Sequence, residues 1–193
     1  MKDSLQRLMT SAREEFSEKG FQQAALRNIC KKAGLTTGAV YFFFDSKEDL
    51  FEHLVGEAAS QADKMLRLLT KEIDLQEDDL GKYDQECTDY IFEHRQEYYL
   101  LLEKSEGTRY AKFKEDTEKQ LGNLFRKRLE MRYGDCLNHI IDSLVHIRIF
   151  LTMDMVNESE NYETFREKED LIKVFAEGGF EKVVETQKEK ASI

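Results

Sequence analysis

Four aromatic residues stand in a row at Tyr41–Phe44, inside the stretch GLTTGAVYFFFDSKEDLF. If this segment is helical, successive side chains are rotated by about 100° around the axis, so the four rings point in nearly every direction. One core cannot bury them all. The Tyr41 hydroxyl and the Lys47 ammonium are groups that bind phosphate oxygens. The stretch therefore predicts that one or more of the rings face water or a binding partner.

Two helices are predicted ahead of this stretch. Asp3 or Ser4 can cap the first, which ends at Gly20, and the second stops at Gly34. Helical spacing predicts a buried stripe on the first helix, formed by Leu5, Leu8, Met9, Ala12 and Phe16.

The stretch itself carries two further helix starts. Thr36 can cap a third helix over about 37–43, and Val40 and Phe44 would share its inward face. Ser46 and Asp49 form a capping box for a fourth helix that reaches about residue 70. Two short helices joined by a glycine-containing turn are typical of a helix-turn-helix motif.

These residues resemble the TetR family of transcriptional regulators, over about the first quarter of the chain. The family's spacing of Ala, Phe, Gly and an aromatic is matched by Ala12, Phe16, Gly20 and Phe21. The following positions also fall in register: Ile29, Ala33, Gly34, Gly38, Tyr41, Phe44, Lys47 and Leu50. The resemblance implies a three-helix DNA-binding head at residues 1–50 and a helical effector-binding and dimerisation domain at residues 51–193.

The resemblance also implies which residues contact DNA: Arg27, Thr36, Thr37, Gly38, Tyr41, Phe42 and Lys47. Lys47 is expected to bind a phosphate at the start of the fourth helix. Many relatives carry histidine or another ring with a polar edge at the positions of Phe42 and Phe43. Phenylalanine donates no hydrogen bond, so a DNA-facing ring should contact a thymine methyl group or a sugar, and Phe43 is expected to pack against the protein instead. At Ala24 the threonine or serine that caps the second helix in relatives is missing.

Composition agrees with an all-α protein. The chain of 193 residues has 40% hydrophobic and 35% charged residues and no proline, and helical apolar periodicity recurs throughout. Three widely spaced cysteines favour reduced, buried thiols. No membrane span or signal peptide is predicted, so we expect a cytoplasmic protein. No nucleophile elbow, phosphate loop or zinc-protease motif is present, so neither an enzyme nor a cofactor is expected.

Charge is distributed unevenly along the chain. Residues 1–50 hold eight Lys or Arg and seven Asp or Glu, a net charge of +1. The remainder of the chain holds 21 Lys or Arg and 32 Asp or Glu, a net charge of −11. Exposed charges more than about 10 Å apart are largely screened at 0.1 M salt, so the acidic remainder weakens DNA binding less than the total charge suggests. With a net charge of +1 on residues 1–50, we expect weak non-specific DNA binding.

The remaining helices are predicted to form a bundle. The pattern is interrupted over residues 71–82, and helices are then expected over 83–103, from about 107, and over 118–133. Aromatic side chains in these helices pack in a core by default, but the family's fold usually contains a ligand pocket. The residues predicted to line one are Phe92, Tyr99, Phe113, His146, Phe150 and Met153.

Apolar residues occur on almost every side of the segment 136–156, which predicts burial on two faces, one against the protomer core and one against a second subunit. The family resemblance implies that the last two long helices form a two-fold, four-helix dimer interface. The residues predicted to form it are Ile141, Leu144, Leu151, Phe165, Ile172 and Phe175. Cys136, His139 and His146, with Asp142 nearby, resemble metal ligands. Groups on one helix cannot surround an ion without ligands from elsewhere, so histidines at an interface or in a pocket are expected and no metal is.

The resemblance therefore implies a dimeric repressor that binds an inverted-repeat operator on double-stranded DNA and is released by a small-molecule effector. An activator, or a regulator controlled by protein contacts in place of an effector, is an open alternative.

Overall fold

The computed structural model describes residues 2–71, 77–133 and 141–191, and within these ranges every regular element is an α-helix. The helices are α1 Lys2–Gln23, α2 Leu26–Ala33, α3 Thr37–Val40, α4 Lys47–Lys71, α5 Glu77–Glu93, α6 Arg95–Glu103, α7 Phe113–Tyr133, α8 Ile141–Glu158 and α9 Tyr162–Ala191. The predicted all-α class is confirmed.

The chain forms two compact units. The first comprises residues 1–65 and 94–116, and the second comprises 66–93 and 117–193. The division at residue 50 inferred from the sequence stays a prediction, because a head boundary defined by DNA contact is not tested by packing within one chain.

The core of the first unit lies between α1, α2 and the start of α4. Leu8, Ala12 and Phe16 of the predicted α1 stripe are buried, while Leu5 and Met9 are half-buried. Three rings meet at its centre, with ring centroids 5.1 Å apart for Phe16 and Phe51, 5.4 Å for Phe21 and Phe51, and 5.9 Å for Phe16 and Phe21. Aromatic contacts at these distances add to the free energy of burial.

The second unit has its own apolar core. Phe92 of α5 stacks on Phe165 of α9 with ring centroids 4.5 Å apart, and Met155 and Val156 of α8 pack against them. Glu169 is buried beside this cluster, where it accepts a hydrogen bond from Thr88 at 2.8 Å and pairs with Arg166 and Lys173. Burial of the carboxylate is tolerated because it is paired and hydrogen-bonded.

Two predictions about helix boundaries beyond α4 are wrong. The helix predicted over 83–103 is divided at His94, whose φ of −105° and ψ of 24° leave the helical region. The break lets Phe92 enter the core of the second unit while Tyr98 and Leu100 are buried in the first. Packing decides this break, because neither proline nor glycine stands there. The start of α5 at Glu77 also lies inside the interruption expected over 71–82.

The helix expected from about residue 107 is likewise absent, and α7 begins at Phe113. Ser105 and Thr108 bond their hydroxyls to main-chain groups, at 2.7 Å from Ser105 to the Leu101 carbonyl and at 2.7 Å from Thr108 to the Ser105 carbonyl. Such local bonds compete with helix formation. Gly107 has a φ of +86°, in the left-handed region that favours glycine.

Candidate nucleic-acid interface

The turn between α2 and α3 follows from glycine and threonine chemistry. Gly34 adopts a φ of +66°, and the N–H of Leu35 donates to the Cys30 carbonyl at 2.9 Å while that of Gly34 donates to the Lys31 carbonyl at 3.2 Å. This pair of bonds is a Schellman motif, which ends a helix abruptly. Thr36 then caps α3 as predicted, accepting a hydrogen bond from the Ala39 N–H at 3.3 Å.

The α3 helix is shorter than expected, because regular helix ends at Val40 and residues 41–43 continue as a turn. The N–H groups of Phe43 and Phe44 both bond the Val40 carbonyl, at 2.8 and 2.9 Å. The turn still directs Phe44 inward, where it is buried against His53 with ring centroids 5.3 Å apart. The prediction that Phe44 belongs to the core is confirmed.

The outer side of this motif combines exposed polar and aromatic groups. Arg27, Thr36, Thr37 and Gly38 are exposed. Tyr41 is 57% exposed and Phe42 is 72% exposed. Among the described residues of the first unit, these are the large apolar side chains that face solvent. The Phe42 ring meets Phe43 edge-on at 5.2 Å, and Phe43 is half-buried against Phe44 at 6.5 Å. The Phe42 ring therefore packs against Phe43 on one side and is exposed to solvent on the other.

Lys47 differs from the other predicted DNA contacts, because its ammonium is already bonded inside the first unit. The Nζ atom donates to the carbonyl oxygens of Phe21 at 2.7 Å, Ala24 at 3.0 Å and Gln22 at 3.3 Å. It also lies 4.4 Å from the centroid of the Phe21 ring. Ser46 caps the helix that Lys47 begins, as predicted, by accepting from the Asp49 N–H at 3.0 Å.

The missing cap of α2 is replaced from another helix. The N-cap position is Ala25 and not Ala24 as predicted, and its side chain makes no capping bond. Glu15 of α1, 1% exposed, accepts hydrogen bonds there from Asn28 at 3.0 Å and from Lys19 at 2.8 Å. Burial by itself raises the pKa of Glu15, but these bonds, the Lys19 charge and the Ala25 N–H lower it to about 2.

Sequence reasoning missed Glu15, although a signal was present. Glu15 follows the buried Leu8 by seven residues, so it lies on the buried face of α1. An acidic residue on an apolar stripe indicates a buried partner.

Most basic side chains of residues 1–50 are engaged within the chain. Lys19 and Lys32 pair with Glu15, Arg7 with Asp3 and Arg13 with Glu97, in addition to the Lys47 bonds. In the described structure Arg27 and Lys31, both exposed on α2, form no ion pair. These two cations are therefore available to phosphates.

The segment 94–116 holds the first unit together from the side of α1 and α4. The Phe21 N–H donates to the Lys104 carbonyl at 2.9 Å. Glu52 of α4 accepts from Tyr110 at 2.8 Å and pairs with Arg109. Burial raises the pKa of Tyr110, so its hydroxyl remains a donor to Glu52 at neutral pH.

The predicted pocket residues are not brought together within one unit. Tyr99 and Phe113 belong to the first unit and the other four to the second. Phe92 is buried in the apolar core, Met153 is half-buried, and His146 and Phe150 are exposed. The pocket set therefore stays a prediction.

The predicted interface residues also differ in their placement. Phe175 is 66% exposed, Leu144, Leu151 and Ile172 are half-buried, and only the backbone of Ile141 is described. Phe165 does not fit the prediction, because it is fully buried against Phe92. Other exposed apolar side chains stand at helical spacing: Ile147 and Phe150 on α8, and Leu171 and Val174 on α9.

Of the residues considered as metal ligands, Cys136 and His139 lie outside the described residues, and Asp142 pairs with Arg126. No helix in the described ranges has the length and apolar character needed to cross a bilayer.

Comparison with known proteins supports the helix-turn-helix geometry. Residues 8–54 match the family model described as bacterial regulatory proteins, tetR family. The uncharacterised HTH-type transcriptional regulator YdgC of Bacillus subtilis is 30% identical over 155 residues, which cover 74% of this chain and 79% of that protein. The repressor BepR of Brucella suis is 39% identical over 51 residues, 26% of this chain and 24% of BepR.

Solved structures share the fold over most of the chain. A transcriptional regulator of the "TerR/AcrR family" from Aquifex aeolicus is similar with a TM-score of 0.55 and 19% identity, covering 89% of this chain and 99% of that one. NalD, a repressor of a multidrug efflux pump in Pseudomonas aeruginosa, gives a TM-score of 0.51 at 17% identity, covering 92% and 95%. At these identities the similarity shows the fold alone.

Proposed function

The chain belongs to the TetR family of DNA-binding transcription regulators, and from this membership we propose that it is a cytoplasmic homodimeric repressor of an inverted-repeat operator, released by a small-molecule effector. The observation that carries the proposal is the exposed surface of α2 and α3. There a polar helix start at Thr37 and Gly38 adjoins two exposed rings, Tyr41 and Phe42.

Each exposed group on this surface suits a part of duplex DNA. Arg27 and the Tyr41 hydroxyl suit phosphate oxygens, which fix position, while the Thr37 hydroxyl suits a base edge. A Cβ atom at Gly38 would meet only the Thr36 hydroxyl oxygen, at 4.0 Å, so the Gly38 backbone is open to close approach. Phe42 suits the thymine methyl group, the apolar feature of the major groove.

A second copy of the chain suits the exposed apolar residues of α8 and α9. Ile147 and Phe150 are three residues apart, and Leu171, Val174 and Phe175 follow the i, i+3, i+4 spacing of one helix face. A two-fold dimer through these faces would present two heads to an inverted repeat.

Repression and effector release are the finer parts of the proposal. BepR, a repressor, supports repression over the head region alone. An effector would lower operator affinity by binding more tightly to the conformation that does not fit DNA. Activation, or control by a protein partner, is the alternative.

The test is selection of bound duplexes from a random DNA library by the purified protein, with Tyr41→Ala as a control. We expect enrichment of an inverted repeat, and weaker binding of every sequence by the folded Tyr41→Ala variant. A folded dimer that enriches no sequence, at low and moderate salt, contradicts the proposal.

A further inference from the structure

We propose that Lys47 is a positioning residue that ties the turn between α1 and α2 to the start of α4, and that it does not bind a DNA phosphate. The inference rests on the proposed DNA-binding function and concerns how the reading surface is held. It replaces the phosphate contact that the family resemblance implied for this lysine.

The bonds of Lys47 leave its ammonium without a spare donor. An ammonium has three hydrogens, and three carbonyl oxygens lie 2.7, 3.0 and 3.3 Å from Nζ. The face of the Phe21 ring lies 4.4 Å away and adds a cation–π contact. A phosphate would have to displace one of these partners.

A cation is favourable at the C-terminal end of α1, and α1 itself supplies none. Gly20 interrupts α1 with a φ of 72° and a ψ of 162°, and the last turn of α1 contains no basic residue. Carbonyl groups at a helix end lack intrahelical partners and carry partial negative charge. Lys47, 23 to 26 residues further along the chain, supplies that charge.

The same turn is held from its other side by Glu15. The Glu15 carboxylate accepts a hydrogen bond from the Asn28 side chain. It lies near Ala25, the N-cap residue of α2, whose own side chain makes no capping bond. The carbonyls of the last turn of α1 and of Ala24 are therefore bonded to a cation from α4. The start of α2 is bonded, through the Asn28 side chain, to an anion from α1. Together the two residues set where α2 begins relative to α1 and α4.

This arrangement has a consequence for DNA binding. α2 carries Arg27, and Lys47 begins the helix that follows the turn presenting Tyr41 and Phe42. Loss of the tie should allow the reading surface to move without removing any charge from the DNA contact. We expect the affinity for DNA to fall, while the number of counterions released from DNA on binding stays the same.

The salt dependence of binding separates the two roles. Lys47→Met is compared with Lys31→Met, which removes an exposed α2 lysine that forms no ion pair in the described structure, using the duplex obtained by selection. For Lys47→Met we expect a lower melting temperature and weaker binding by a similar factor at every salt concentration. A slope of log K against log salt that is flatter by about 1.8 per dimer, two lost phosphate contacts, overturns the proposal.

A second measurement needs no variant, and so decides the question even if Lys47→Met does not fold. The wild-type protein is treated with a limiting amine-acetylating reagent, and each lysine is quantified by mass spectrometry with and without the duplex. We expect Lys47 to be protected already without DNA, while Lys31 is modified. Reaction of Lys47 at the rate of Lys31 in the free protein, followed by protection on addition of DNA, contradicts the inference.

Failure of the proposed function has a different signature. If the wild-type protein binds no duplex, the DNA-binding proposal fails. Even then, protection of Lys47 from acetylation in the free protein tests whether its ammonium is bonded to the three carbonyls.

Discussion

Glu15 stabilises the helix-turn-helix head as a buried anion at the N-terminus of α2. Its pKa is about 2 in the folded protein against 4.5 for an ordinary glutamate, so the folded state holds its proton less tightly than the unfolded state does. The resulting stability is fully present above about pH 4.5 and is lost as the pH falls towards 2.

The test of Glu15 is the substitution Glu15→Gln, which keeps the shape and removes the charge. We expect a loss of about 2 kcal/mol in the free energy of unfolding at neutral pH, because a carboxylate bonded by charged donors is replaced by a neutral amide. Urea unfolding from pH 2.5 to 7 measures it, and the difference from wild type should shrink at the acidic end. Glu14→Gln, an exposed neighbour, is the control. Equal stability of the two variants at pH 7 contradicts the capping role.

We expect Phe42 to contact the methyl group of a thymine, because its side chain cannot form hydrogen bonds to base edges. Replacing each thymine of the selected half-site by deoxyuridine removes only the C5 methyl group. We expect wild-type affinity to fall severalfold at one or two positions, with Phe42→Ala insensitive to the same replacements. The measurement is a titration of each substituted duplex, and a wild-type protein indifferent to every replacement rules out methyl recognition.

At the scale of elements, two glycines four residues apart have opposite roles. Gly34 ends α2 with a φ of +66°, so a side chain is strained there whatever the space. Gly38 has no such strain, and a Cβ would meet only the Thr36 hydroxyl at 4.0 Å. Conformation explains the first glycine. For the second we expect the reason to be close approach of DNA, because a side chain would fit there without strain.

The pair makes a matched experiment. Gly34→Ala should lower the free energy of unfolding by about 1 kcal/mol, whereas Gly38→Ala should leave it unchanged or raise it slightly, since alanine favours helix. Gly38→Ala should nevertheless weaken operator binding. Chemical denaturation and DNA titration of both variants give the comparison, and undiminished DNA affinity of Gly38→Ala removes Gly38 from the contact surface.

Helix boundaries show where local signals suffice. The ends of α2, α3 and α4 in the head follow from Gly34, Thr36 and Ser46, whose capping bonds connect residues no more than five positions apart. The division between α5 and α6 at His94 has no such local signal. It follows from Phe92 and Tyr98 being buried in different units.

At the scale of the whole molecule, the exposed apolar residues of α9 should be covered by a second copy. Phe175→Glu places a charge in the proposed interface, and we expect it to shift the protein from dimer to monomer in sedimentation experiments. Met131→Glu, at another exposed apolar position, is the control. A dimer that survives Phe175→Glu at low micromolar concentration places the interface elsewhere.

The charge distribution makes a further prediction for the dimer. With Arg27 and Lys31 as the available α2 cations, two heads would contact about four phosphates through them, so log K should fall with log salt with a slope of about −4. Titration at several salt concentrations measures this slope. A slope near −10 would require basic side chains that the structure shows paired, Lys47 among them, to turn towards DNA.

The sequence by itself determined the all-α class, the helix-turn-helix motif and the burial of Phe44 with Tyr41 left off the buried face. These depend on periodicity, on caps and on glycine, and each acts over a few residues.

Only the tertiary structure decided that Lys47 faces three carbonyls, that Glu15 replaces the missing cap of α2 and that Phe165 is core and not interface. Lys47 and its carbonyl partners are 23 or more residues apart, and Phe92 and Phe165 are further apart still. No local pattern specifies such partners, because a side chain of suitable charge or size satisfies the same local rules whether it meets solvent, DNA or another helix.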